Sequence, residues 1–420
     1  MTNVSEINVS KIFTLFKHKK IESLILFYIL ALLVLGLSMQ PIDELFIGLK
    51  EIFMASGILV TDYIVIGGMG PAFVNAAIVA LIGYIILLMN KVALKGISIA
   101  AIFTMMGFAL MGKTIWSILP IILGVFIYSK LTGREFVTSI YPALFGTALA
   151  PLVTHAAFGF GWGILGGSLV GIGVGLVIAP VANHALAFHE GYNLYNVGFT
   201  AGFVGLIFLN VFRAYGFDTE SLLIWGREFD TYLRMFSIVL FSSMIIFGII
   251  ISKDKIKDFL KILKEPGTTI TDFVNIAGFG NTLINMGLVG FVGIIYLEVI
   301  GGNYNGPTLC GLLTMVGFAA FGKHPLNIIP IIAGVWLGSL FSIYEANAPG
   351  AVLAGLFGTT LAPIAGRFGP IVGALAGITH LYIVSTIGIV HGGLNLYNNG
   401  FAGGFVASFF VAIMKGIKKD

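Results

Sequence analysis

Apolar residues run along this chain in fourteen long blocks rather than alternating with polar ones. Seven fall in the first half, at residues 22–39, 72–90, 96–112, 114–130, 136–154, 160–182 and 196–213. Seven fall in the second, at 230–251, 279–297, 306–322, 325–342, 349–364, 368–388 and 400–414. Unbroken blocks of this length predict helices that are buried or face lipid, whereas a membrane β-barrel alternates residue by residue. Several blocks fall short of the roughly 20 residues that cross a bilayer. The third and fourth of each half are parted only by Gly112-Lys113 and Gly322-Lys323, so each pair is either a short spanning hairpin or a re-entrant one. Ten to fourteen true crossings are expected.

The pattern is written twice. Residues 103–129 match residues 313–339 at 14 of 27 positions without a gap. Thr61-Asp62-Tyr63 returns as Thr271-Asp272-Phe273, and LFGTALAP (144–151) as LFGTTLAP (356–363). HEGYNLYNVGFTAGFV (189–204) returns as HGGLNLYNNGFAGGFV (391–406) with 11 of 16 identical. A duplicated apolar chain points to a pseudo-symmetric membrane protein, whose working site is expected where the halves meet.

Charge gives the sense of the symmetry. The loop after the first block of half one carries Asp43 and Glu44, while its counterpart, residues 252–264, carries five lysines. Lys91 and Lys95 have no basic counterpart in residues 299–308. Basic loops stay on the cytoplasmic side, so equivalent loops lie on opposite faces and each half crosses an odd number of times. The expected fold is all-α: a polytopic transmembrane helical bundle of two inverted repeats, with re-entrant hairpins and broken helices. Its parts are a cytoplasmic N-terminal segment (1–21), repeat one (22–214), a connecting loop (215–229) and repeat two (230–420). Residues 252–264 form a basic amphipathic surface helix with Ile256, Phe259, Leu260 and Leu263 on one face. A multi-pass protein of the plasma membrane with both termini cytoplasmic is expected.

Composition supports this class. The chain is 58% hydrophobic and 10% charged, against about 25% charged in soluble domains. Its single cysteine, Cys310, leaves no internal disulfide and no cysteine-rich metal site, and no cofactor is expected. A net charge of +4 gives no reason to expect nucleic acid. The expected partners are a small-molecule solute and the lipid bilayer. Glycines spaced by four (163, 167, 171, 175, and again 369, 373, 377) make a close-packing helix face, within the chain or in a homo-oligomer.

Polar residues inside such a chain are functional candidates. Lys113 and Lys323 sit at the hairpin tips, where they either line a midplane site for an anionic or electron-rich solute or snorkel to the two interfaces. In the H-x-G-x-N-L-Y-N motif, His189, Asn193, Tyr195 and Asn196 match His391, Asn395, Tyr397 and Asn398. These groups suit an unwound segment that binds a solute or satisfies freed backbone, and the histidines suit proton relay. Asp62 and Asp272 either cap a helix or coordinate a coupling cation. Asn75 and Asn285 lie inside a span, as interhelical hydrogen bonds or solute contacts. No zincin motif, P-loop or Ser/His/Asp signature is present, and no enzymatic activity is expected.

The duplicated G-F-A-x-x-G-K, I-x-P-I-I-x-G-V, L-F-G-T-x-L-A-P and H-x-G-x-N-L-Y-N-x-G-F blocks resemble an uncharacterised family of duplicated prokaryotic integral-membrane proteins, a domain of unknown function. The resemblance covers about residues 20–415 and implies no activity. A weaker likeness is to urea transporters, which are inverted repeats with glycine-tyrosine-asparagine turns near the pore. Gly191-Tyr192-Asn193 fits that turn, Gly393-Leu394-Asn395 fits it in part, and the leucine-proline-threonine-proline-phenylalanine signature is absent. The expected function is a transporter of a small polar or anionic solute, working by alternating access between the repeats. The alternative is a passive channel for a small neutral solute such as urea, and a third class is an intramembrane enzyme or lipid-handling protein.

Overall fold

The structure is a computed structural model that describes residues 20–220, 222–269 and 271–417. The expected cytoplasmic segment, apart from Lys20 and Ile21, lies outside them. So do Lys418 and Lys419. The regular elements of the described residues are all helices, with one isolated bridge between Thr61 and Ile224. Half one contains α1 (Lys20–Ser38), α2 (Ile42–Met54), α3 (Tyr63–Gly67), α4 (Met69–Met89), α5 (Gly96–Phe108) and α6 (Ile115–Leu131). It ends in a broken helix α7 (Phe136–Gly159), α8 (Gly163–His189) and α9 (Asn196–Ala214). Half two repeats this order: α10 (Asp230–Ser252), α11 (Phe259–Leu263), α12 (Phe273–Ala277), α13 (Phe279–Ile300), α14 (Gly306–Phe318) and α15 (Pro325–Leu340). It closes with the broken helix α16 (Pro349–Phe368), α17 (Pro370–His391) and α18 (Asn398–Ile417).

Ten of these helices are long and apolar enough to cross a membrane, and α5, α6, α14 and α15 are shorter apolar helices. The protein is a polytopic helical membrane protein. All fourteen apolar blocks become helices, and the four short ones are the two expected hairpins. The halves use the same internal pairs, α1 on α4 as α10 on α13, and α6 on α8 as α15 on α17. The glycine stripe makes the second pairing possible. A Cβ at Gly175 would lie 2.6 Å from the Gly124 Cα, and one at Gly171 would lie 2.7 Å from the Pro120 Cβ. Gly163 and Gly369, expected on that face, have open space around them instead.

Residues 252–264 differ from the single amphipathic helix expected of them. Lys253–Asp258 is a 3-10 helix that passes into the short α11. Ile262 is the fully buried side chain, packed with Phe273 and Ala277, while Ile256 and Leu260 are exposed. The heptad-like spacing assumed one continuous α-helical turn, and the 3-10 segment rotates the apolar face. The equivalent segment of half one, α2, is an unbroken helix of 13 residues within what was expected to be an acidic loop.

The halves meet along two helix pairs, α5 with α14 and α9 with α18. On the first pair, Gly96 lies against Ala320, Gly107 against Cys310, Gly317 against Ala100 and Phe103, and Gly306 against Leu110. The two helices are therefore antiparallel, each about 20 Å long at 1.5 Å per residue. Each hairpin tip reaches the start of the other hairpin, so the tips pass one another rather than meeting at the middle. The middle of the crossing falls at Thr104 and Thr314. On the second pair, Phe401 covers Gly202 and Phe199 covers Gly404, a reciprocal ring-on-glycine contact.

Candidate functional site at the interface of the halves

Each hairpin tip is built by one asparagine. Asn75 Nδ2, from α4, donates to the carbonyls of Ala109 (2.7 Å) and Lys113 (2.8 Å). Asn285 Nδ2 does the same for Ala319 (2.7 Å) and Lys323 (2.7 Å). These carbonyls are left over where α5 and α14 end, and in an apolar interior they need a donor. Gly112 (φ +149°) and Gly322 (φ +120°) turn the chain where a side chain would be strained. The next residues, Lys113 and Lys323, thereby enter the protein and are fully buried. They do not snorkel.

A second local rule supplies each lysine with a hydroxyl. Pro151 has no N–H for the carbonyl of residue 147, and Pro363 has none for that of residue 359. Helices α7 and α16 accordingly pass through a 3-10 turn at Thr147–Leu149 and Thr359–Leu361. There Thr147 Oγ1 donates to Leu144 O (2.5 Å) and Thr359 Oγ1 to Leu356 O (2.6 Å). The free lone pairs face the lysines. Lys113 Nζ is 2.8 Å from Thr147 Oγ1 and 2.5 Å from the hydroxyl of Tyr397. Lys323 Nζ is 2.8 Å from Thr359 Oγ1 and 2.6 Å from the hydroxyl of Tyr195. Each amine also lies over two rings, Tyr397 and Phe108 for Lys113, Tyr195 and Phe318 for Lys323. Each cage thus joins a lysine and a threonine of one half to a tyrosine of the other.

The rest of the H-x-G-x-N-L-Y-N motif positions those tyrosines. His189 Nε2 is 3.0 Å from Asn196 Oδ1, and His391 Nε2 is 2.9 Å from Asn398 Oδ1, closing the turns before α9 and α18. Asn196 and Asn398 spend their amide N–H on the Ala182 and Val384 carbonyls. Asn193 Nδ2 donates across the halves to Gly400 O (2.9 Å), and Asn395 Nδ2 to Gly198 O (3.3 Å). Their Oδ1 atoms accept from the backbone N–H of Tyr195 and Tyr397. These four asparagines satisfy an unwound backbone.

Asp62 and Asp272 are helix caps that act twice. Asp62 accepts from Ile64 N (2.9 Å) at the start of α3, from Gly226 N (3.1 Å), and from the Gly306 N–H at the start of α14. Asp272 accepts from Asn275 N (3.2 Å) and from Gly96 N (3.2 Å) at the start of α5. Each carboxylate thus holds the first turn of the other half's hairpin, where helix polarity favours negative charge. Burial pushes the Asp62 carboxyl up to about 6, against the pull of its N–H donors. Among the described residues no group of three or more histidine, cysteine, aspartate or glutamate residues is placed to hold a metal.

Between the cages lies a cavity of about 240 Å³. Its walls are the paired rings Phe108 and Phe318, Tyr195 and Tyr397, Phe145 and Phe357, with the backbone of Gly198 and Gly400. Thr104 and Thr314 line it at the middle of the α5–α14 crossing. Among the described residues, Thr104 Oγ1 is buried without a hydrogen-bond partner, and Thr314 Oγ1 has none beyond the Cys310 sulfur one turn away. Of the sequence candidates, Tyr195, Tyr397 and Asn196 reach this cavity, whereas the two lysines stand behind the tyrosines. Thr104, Thr314, Thr147 and Thr359 were not singled out from sequence. A signal existed, since all four are identical polar residues inside matched apolar blocks.

A family model described as "Protein of unknown function (DUF1576)" matches residues 42–214 and again 251–416. Neither a curated protein nor a solved structure matches the chain. The two matches begin at equivalent points, after α1 and at the end of α10, and carry the same cage residues. The chain is thus a duplicated member of the DUF1576 family.

Proposed function

We propose that the protein is a membrane carrier for a small uncharged polar solute, bound between inverted repeats at Thr104 and Thr314. The observation that carries this reading is the central cavity, where the Thr104 hydroxyl has no partner among the described residues and the Thr314 hydroxyl has only the Cys310 sulfur. A buried hydroxyl without a partner costs about 1–3 kcal/mol, which a solute hydrogen bond would offset. The described lining contains no charged side chain and no histidine. A charged solute would therefore be desolvated without a counter-charge, at a cost far above that of a neutral one. This favours a neutral polar solute over the anion that the lysines suggested from sequence.

Alternating access is supported by the cavity's one-sidedness. Its lining extends to Ile97, Thr138, Tyr141, Asn183 and Thr269, and Thr138 and Asn183 are exposed. The corresponding segments of half two do not line it. This end carries Lys95 and Arg134, so positive-inside logic makes it the cytoplasmic mouth. The antiparallel crossing of α5 and α14 gives the mirror-related opening a ready geometry.

The test is a thermal-shift screen of purified protein against neutral amides, polyols and small anions, followed by counterflow in proteoliposomes. A solute at a hundred times its Kd should stabilise by about 2.7 kcal/mol. A neutral solute should stabilise the protein and show saturable counterflow, and both should vanish in Thr104→Val/Thr314→Val. Stabilisation by anions alone, or flux indifferent to that double variant, overturns the reading.

A further inference from the structure

The cavity wall departs from two-fold symmetry at Asn399, and the departure bears on which solute the carrier reading above requires; the inference rests on that reading. Asn399 lines the cavity, and so does its counterpart in half one, Val197. Each follows directly on its H-x-G-x-N-L-Y-N turn. Behind Asn399 stands His380 of α17, fully buried. Its ring fills the space over Gly358, where a Cβ would lie 2.8 Å from the ring Cδ2. In half one the space over Gly146 is filled by Ile178, whose Cγ1 would lie 3.1 Å from such a Cβ. Asn399 and His380 thus stand where half one has two apolar side chains, Val197 and Ile178, in an otherwise repeated piece of packing.

His380 fixes how the amide is turned. Its Nε2 lies 3.0 Å from Asn399 Oδ1. That contact puts the ring hydrogen on Nε2 and leaves Nδ1 as a bare lone pair, buried without a partner among the described residues. Turning the amide over would need the ring hydrogen on Nδ1, where the described residues offer no acceptor. A buried N–H without an acceptor is the rarer defect, so the hydrogen-bond network assigns the first arrangement. Oδ1 is therefore spent inside the protein and Nδ2 remains. Asn196 and Asn398 make the same Oδ1 contact to a histidine but give Nδ2 to the Ala182 and Val384 carbonyls. Asn399 Nδ2 makes no hydrogen bond among the described residues, is not enclosed as Thr104 Oγ1 is, and has the cavity beside it.

An amide N–H can only donate, whereas the threonine hydroxyls at the crossing donate or accept and so do not choose between solutes. Asn399 does choose, because what faces it must accept. A solute hydroxyl there has its own proton to place as well, and the surrounding rings give it no lone pair. A carbonyl brings two lone pairs and no proton. We propose that Asn399, positioned by His380, determines the specificity of the cavity, and that the solute is a neutral carbonyl compound of the amide or lactam class whose oxygen accepts from Asn399 Nδ2. The N–H groups of such a solute are left for the oxygens of Thr104 and Thr314.

The experiment compares oxygen with sulfur. Full-length protein in detergent is titrated with acetamide, 2-pyrrolidone and nicotinamide, and with their thio analogues, whose sulfur is a weaker acceptor of similar shape. The Kd of each is read from the concentration dependence of the melting temperature. At least one carbonyl probe should bind about tenfold more tightly than its thio analogue, the worth of one hydrogen bond. In Asn399→Val that probe should lose about tenfold in affinity and its preference over sulfur should fall to about one. His380→Ile, which leaves the amide unaimed, should lower the preference, and His380→Gln, which keeps an N–H donor, should retain it. A preference that survives Asn399→Val, or the absence of binding by any carbonyl probe, overturns the proposal. An undiminished preference in His380→Ile overturns the positioning role. Should Asn399→Val not fold, Asn399→Val/His380→Ile gives half two the side chains that half one already packs, and is read in the same way. Binding is read without transport, so an oxygen preference in a protein without counterflow would remove only the carrier reading. Saturable counterflow of a polyol that needs Thr104 and Thr314 but is indifferent to Asn399→Val would remove only the carbonyl inference.

Discussion

The amine of Lys113 and the hydroxyl of Tyr397 lie 2.5 Å apart although 284 residues separate them in the chain. This contact, with its twin between Lys323 and Tyr195, ties each hairpin to the unwound turn of the other half. Tyr397→Phe leaves the buried amine with one oxygen partner and should cost about 1–3 kcal/mol. Lys113→Met should cost a similar amount by stranding the phenol. The double variant should lose less than the sum, because removing both partners leaves neither group unsatisfied. Chemical unfolding of the four proteins in detergent gives the coupling energy, and strict additivity would mean that the contact carries no energy.

The tip asparagines offer a comparison between halves. Asn75→Leu strips the Ala109 and Lys113 carbonyls of a common donor, and Asn285→Leu does so for Ala319 and Lys323. Each should destabilise by about 2–4 kcal/mol, since two buried acceptors lose a partner at once. The two losses should agree within about 1 kcal/mol, because the two asparagines make the same pair of hydrogen bonds at matching distances. Thermal unfolding of both variants tests this, and a large difference would show that one tip is held by other contacts.

Asp62 predicts a pH dependence. Its carboxyl is held near 6 in the folded protein, against about 3.9 in an unfolded chain. Between those values the folded state binds more protons, so this group's stabilisation is present at low pH and is lost as pH rises from about 4 through 6. The melting temperature should therefore be higher at pH 5 than at pH 7.5. Asp62→Ala should reduce that slope. It should also lower stability at pH 5 by about 1 kcal/mol, because the first turns of α3 and α14 lose a cap.

Much of this architecture is legible in the sequence because its causes are local. A block of apolar residues without alternation makes a helix wherever it lies, so all fourteen appear. The pairing of Gly-Lys tips and of H-x-G-x-N-L-Y-N turns is visible because duplication copies it. The relation between those two motifs is not, since nothing in either copy says that Lys113 seeks the tyrosine of the other half. The roles of Asn193, Asn196, Asn395 and Asn398 depend on which carbonyls an unwound turn leaves free, a tertiary matter. Thr104 and Thr314 were overlooked because threonine is common in spans. Only the register of α5 against α14 sets them at the crossing point.

That register yields a contrast between two threonines of the same half. Thr147 Oγ1 connects Lys113 Nζ to Leu144 O, so Thr147→Val leaves a buried amine with the Tyr397 hydroxyl as its one oxygen partner and should cost about 1–3 kcal/mol. Thr104 Oγ1 is equally enclosed but has no partner among the described residues, and Thr104→Val keeps its volume while removing an unsatisfied group. It should leave stability unchanged or raise it by up to about 1 kcal/mol, an unusual result for a buried substitution. Unfolding both variants side by side separates a hydroxyl that holds the fold from one kept for a ligand. A Thr104→Val protein as damaged as Thr147→Val would show that its hydroxyl already has a structural partner. A stable one without solute binding would show that the fold tolerates this unsatisfied group for function.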